Sequence, residues 1–233
     1  MRRAFALSVS LVAITWAATA AADSPNLKGA YGFTGTAVCL TAPGSSLTPQ
    51  VPGNTTPYPN AGFNTLLQPN DRTDPNGGDS FTHSFSVEGI RTFNGDGTGT
   101  VKGTAVGITV RPTPGPAPSD PHFPASAGTE NFTFNFTYTV NGDGSWTSTM
   151  VPLSYQGTFV TGPRSTDNPA NSTNQTNTVD AIPPFTGLIS QDGNTLIVAH
   201  TTTAVETVTY SNGDVWPEIC HRSRVLIKLP NGH

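Results

Sequence analysis

Three of the chain's five histidines share strand parity with apolar neighbours: His83, His200 and His221, with Glu206 on the same alternation. Imidazole with one carboxylate is donor chemistry suited to zinc or iron. No two of these residues form a His-x-His pair, however, and their expected heights along the strands differ, so four-way convergence is not expected and no metal site is assigned. The remaining reactive groups are two cysteines, Cys39 and Cys220. Their wide separation and the absence of a Cys-x-x-Cys point to a disulfide, the ordinary state of a cysteine pair in an exported protein. There is no Gly-x-Ser-x-Gly, no His-Glu-x-x-His and no phosphate loop. No catalytic residue and no cofactor is therefore assigned, and the reading leans away from an enzyme.

The elements that position these groups are strands. Charged residues make up 11% of 233 residues, with 24 Gly and 21 Pro. So few charges leave little material for helix surfaces, while Thr, Asn, Ser and Gly suit strands and turns. Met1-Arg2-Arg3, an apolar run and Ala20-Ala21-Ala22 read as a signal peptide over residues 1–22. A single β domain is expected over 23–233, exported to the periplasm or secreted. The formal charge is −4 and there is no basic run, so nucleic acid is not an expected partner. No stable membrane span is expected in the mature chain, and the oligomeric state is not legible.

Eight strands are expected, at 30–40, 80–93, 98–110, 130–141, 145–160, 182–190, 195–210 and 215–229. Four tight turns contain Asn-Gly or Asp-Gly, strong hairpin signals because these residues accept positive φ. Hairpin after hairpin gives an all-β, eight-stranded antiparallel up-and-down barrel. Three long coils, 41–79, 111–129 and 161–181, alternate with the tight turns, so all three fall at one end. That end is where a ligand is expected to enter.

Parity assigns the interior. Phe132, Phe134, Phe136 and Tyr138 alternate with Asn131, Thr133, Asn135 and Thr137, so the aromatic set is expected inside. Phe81, His83, Phe85, Val87, Arg91 and Phe93 form one face of the second strand. On the last strand, Ile219, His221, Val225, Ile227 and Leu229 read as the apolar face, with Arg222, Arg224 and Lys228 opposite. Under that assignment Cys220 opposes Cys39, and a bulge near Pro217 is needed to join them.

The expected ligand is a small apolar or amphipathic molecule, contacted by Phe81, His83, Phe85, Phe134, Tyr138 and Glu206. A structural or surface-interaction protein of the cell envelope is the alternative. A cyclase-type enzyme that works mainly by holding its substrate is a third, and an outer-membrane barrel a fourth. Lys28-Gly29-Ala30-Tyr31-Gly32, with Arg222 and Arg224 on the last strand, resembles the calycin-like small barrels. Tyr31 stands where lipocalins carry Trp. The resemblance, to lipocalins and to allene-oxide-cyclase-like barrels, implies odd-numbered loops around an open mouth and strands tied by a disulfide.

Overall fold

The computed structural model describes residues 27–42, 45–46, 62–69, 80–110, 126–169, 171–180 and 182–230. The signal-peptide segment 1–22 and most of the coils 41–79 and 111–129 lie outside the described residues. All regular structure described is β. Five strands are long: β1 (Lys28–Thr41), β3 (Phe81–Asn94), β4 (Thr98–Val110), β5 (Ser126–Val140) and β12 (Asp214–Lys228). The rest are short: β2 (Ser45–Ser46), β6 (Ser145–Met150), β7 (Gln156–Thr161), β8 (Thr176–Val179), β9 (Phe185–Ile189), β10 (Thr195–His200) and β11 (Glu206–Tyr210).

The pairings, all antiparallel, close into a ring of eight strands: β1-β3-β4-β5-β6-β9-β10-β12, with β12 pairing back to β1. At the other level β7, β8 and β11 bridge β5 to β12 in place of β6, β9 and β10. The expected strand 145–160 is thus β6 plus β7, interrupted at 151–155, and 195–210 is β10 plus β11, interrupted at 201–205. β8 falls inside the expected coil 161–181, and β9 starts only after Pro183-Pro184. Proline has no N–H to give a ladder, which accounts for the breaks at Pro152 and at Pro183-Pro184. Leu153 also takes a positive φ of 59°.

The tight turns are Asx turns. Asp96 Oδ1 accepts from the Thr98 backbone N–H and hydroxyl, and Asp143 Oδ1 does the same for Ser145. Gly95 and Gly97 have φ of 88° and 86°, a region that costs an ordinary residue strain.

The inner faces of β4 and β5 complement each other in size. Gly99, Val101 and Gly103 stand opposite Phe136, Phe134 and Phe132. A Cβ on Gly99 would lie 2.3 Å from Phe136 Cζ, so the ring occupies the place of the missing side chain. At the tight-turn end the interior is packed solid around Phe93, whose ring meets those of Tyr31, Phe136 and Tyr138 edge-on at 5.0–5.3 Å. Tyr138 donates its hydroxyl hydrogen to the Leu27 carbonyl at 2.6 Å, and Tyr31 to the Gly193 carbonyl at 2.8 Å. Both phenols thus satisfy their polar tip while burying the ring.

The facing assignment of the last strand is reversed. Trp216, Glu218, Cys220, Arg222 and Leu226 are buried, whereas His221 is exposed and Val225 and Ile227 are 43% and 59% exposed. The inner face of β12 carries the charges, so apolarity pointed the wrong way. Cys39 therefore stands directly opposite Cys220 on the same face, in an unbroken register. Their disulfide forms with no bulge. Such a bond is consistent with an oxidising environment.

Candidate functional site

A cavity of about 200 Å³ occupies the half of the ring away from the tight-turn core. It lies where β1 ends at Thr41, β3 begins at Phe81, and β4 and β7 end near Thr109 and Thr161. Its apolar wall includes Phe81, Phe85, Phe132, Phe134, Phe185 and Trp216. The space has a sequence origin: at this height the β4 and β5 inner faces carry Ala105, Gly107 and Gly128, where the closed end has aromatics across the same ladder.

Polar groups converge on the same space. His83 stacks on Phe85 with ring centroids 5.7 Å apart, its Nδ1 3.4 Å from the Thr41 hydroxyl and its Nε2 3.6 Å from Glu218. Burial, followed by the Arg222 charge, lowers its pKa to about 4, so the ring is neutral. Tyr155 lies flat against Phe132, tilted by 8°, and donates to Glu130 Oε1 at 2.7 Å. Burial raises the Glu130 carboxyl to about 7. Gly157 is the residue that lets this group in: a Cβ there would sit 1.9 Å from Glu130 Oε1 and 1.8 Å from Asn177 Oδ1.

At the wall itself, Arg222 holds Glu206 in a two-pronged ion pair and lies 3.8 Å from Glu218. Two carboxylates share one guanidinium here. Burial pushes both carboxyls up. Arg222 opposes that rise at both carboxyls, and at Glu206 it does so through two hydrogen bonds as well. Glu218 Oε1 is also 3.3 Å from Cys220 Sγ, but both sulfurs are bonded to each other and offer no thiolate to a metal.

Of the six residues expected to contact a ligand, Phe81, His83, Phe85 and Phe134 line the cavity. Tyr138 lies in the packed end, and Glu206 is buried behind Arg222, neither among the lining residues. The three histidines do not meet: His221 faces outward, and His200 is buried with Nδ1 3.1 Å from the Cys220 carbonyl and its ring 4.2 Å from Phe185. The sequence reading missed Glu130, Tyr155, Glu218, Arg222 and Arg224 as cavity residues. Glu130 shares the parity of Phe132 and could have been included. The cysteines themselves held the signal for β12: if Cys39 is inside and pairs with Cys220, every even residue of that strand is inside too. Comparison with known protein families, curated proteins and solved structures finds no match to this chain.

Proposed function

We propose that the chain is an exported, soluble, eight-stranded up-and-down barrel that binds a small apolar or amphipathic molecule in this cavity. The strand ends that two of the long connections join, at Thr41, Phe81, Thr109 and Ser126, border the cavity. One contrast carries the reading: the tight-turn end is filled by its own side chains, while the other end keeps an aromatic-walled space with polar groups aimed into it. Concave, mainly apolar sites with a few convergent polar groups are the common form of small-molecule pockets. At about 200 Å³ the space is below the ~300–1,000 Å³ of drug-sized sites, which favours a small ligand. The exposed Asn131, Thr133, Asn135 and Thr137 of β5 support a water-facing exterior, and the disulfide supports export. The ring of antiparallel strands agrees with a calycin-like plan.

The test is to recover the protein from the periplasm without detergent and titrate it with the neutral dye Nile red. A saturable blue-shifted emission is expected. Gly107→Trp should abolish it, because a Cβ at Gly107 meets only ordinary contacts, Phe85 Cβ at 3.6 Å and Ser84 O at 3.7 Å, and the indole then fills the cavity. Equal binding by both proteins would place the dye elsewhere and sink the proposal.

A further inference from the structure

We infer that the cavity's ligand is an anion, a small amphipathic carboxylate whose head group is taken by Arg224 while its tail lies along the aromatic wall. The inference rests on the ligand-binding reading and names the chemistry of that same site. Arg224 has the inward parity of β12 and lines the cavity. Its guanidinium sits between two rings, 5.3 Å from the Phe185 centroid and 5.8 Å from that of Phe33. Nη1 is buried and has nothing to donate to: among the described residues no carboxylate, hydroxyl or carbonyl takes a hydrogen bond from it.

The neighbouring Arg222 differs in one decisive respect. It is neutralised by Glu206 through two hydrogen bonds, so its charge is spent inside the protein. The other cavity carboxyls do not compensate Arg224. Glu130 is engaged by Tyr155 and Glu218 lies against Arg222 and His83, and burial raises the pKa of both toward neutrality. Glu206 and Tyr155 attract Arg224 electrostatically, but neither hydrogen-bonds to it; a guanidinium whose buried nitrogen lacks a bonded anion is costly, and its fork matches a carboxylate geometrically. Burial and the adjacent Arg222 bring Arg224 down only to about 9, so it remains charged at neutral pH.

The probes are octanoate and 1-octanol, which share a tail and differ in charge. Titration into the disulfide-bonded protein is followed by calorimetry, for wild type, Arg224→Met and Arg224→Lys. Octanoate is expected to bind wild type roughly tenfold to a hundredfold more tightly than octanol, the range of a charge-assisted hydrogen bond. Arg224→Met should remove that advantage and leave octanol affinity unchanged, and Arg224→Lys should restore part of it. Equal affinity of acid and alcohol for wild type overturns the inference while leaving ligand binding standing. Equal loss of both probes in Arg224→Met also overturns it, because Arg224 then only supports the wall. If neither probe binds wild type, the inference falls, and the Nile red titration shows whether the cavity reading falls with it. Should Arg224→Met fail to fold, the wild-type comparison and Arg224→Lys decide alone.

Discussion

Arg222 grips both carboxylate oxygens of Glu206, at 2.5 and 3.0 Å, with the Glu206 side chain wholly removed from solvent. Breaking such a pair from one side leaves a buried charge with no counterpart, which typically costs ~3–5 kcal/mol. Arg222→Met is therefore expected to lower stability by about that amount. The double variant Glu206→Leu/Arg222→Met should recover most of the loss, since paired apolar replacement of a buried ion pair is often neutral. Urea unfolding of wild type, both single variants and the double gives the cycle. Additive losses would mean the two side chains do not act as a unit.

The Cys39–Cys220 bond spans a sequence separation of 181. Closing so long a loop stabilises by at most about 5 kcal/mol in the chain-entropy model. Cys39→Ala/Cys220→Ala should shift the urea midpoint accordingly. Mass measurement after alkylation without reductant should find no free thiol in exported wild-type protein. Two alkylated cysteines would be the contrary result.

Phe136 and Phe134 lie on the same face of β5 but in different surroundings. Phe136 is packed against Phe93 and lies 4.0 Å beneath the Arg91 guanidinium, whereas Phe134 borders the cavity. Phe136→Ala should cost ~3–5 kcal/mol, the range for emptying a packed aromatic site. Phe134→Ala should cost less, because one side of its ring already lacks neighbours. The outward Thr137→Ala should stay within about 0.5 kcal/mol. Chemical unfolding ranks the three, and a reversed order for the two phenylalanines would contradict the placement of the cavity.

The pH profile should carry two opposed signatures. Glu130 has its pKa raised by burial to about 7, so its protonated form favours the folded state. That contribution is complete below the ordinary glutamate value and is lost as pH rises toward 7. His83 and His200 are lowered to about 4 by burial, so their contribution is complete above the ordinary histidine value and is lost as pH falls toward 4. Glu130→Gln keeps an acceptor for Tyr155 and removes one titration. Relative to wild type it should gain stability as pH rises from about 5 to about 8, by at most on the order of 3 kcal/mol, an upper figure because Glu130 borders the cavity. Urea midpoints of the two proteins at both pH values check the sign.

The succession of strands and tight turns could be read directly because two-residue alternation and Asn-Gly or Asp-Gly turns are local signals. Phe132 to Tyr138 and Phe81 to Phe93 obey that alternation with apolar groups inside, and their facing follows. On β12 the same logic inverted the strand, since Glu218, Arg222 and Arg224 face inward while Val225 and Ile227 face water. Ion pairing and stacking on rings hold those charges inside, and neither leaves a trace in local hydrophobicity. Tyr138 and Glu206 show a second limit. Parity tells which face a residue occupies but not how deep it sits, and depth separates the filled half of the ring from the cavity. The interruptions at 151–155 and 201–205 depend on where neighbouring strands stop pairing, which a single strand's sequence does not display.

The covalent link between β1 and β12 makes the domain circular in its connectivity. A protease that cuts the backbone once anywhere between Cys39 and Cys220 produces two fragments that remain one molecule. The first strand cannot drift away from the eleven register pairs that seat it against the last. Such a nicked protein would run as one species without reductant and as two with it, and its refolding would stay independent of concentration. In surroundings rich in proteases, a single cut in an exposed connection would therefore spare the assembled ring.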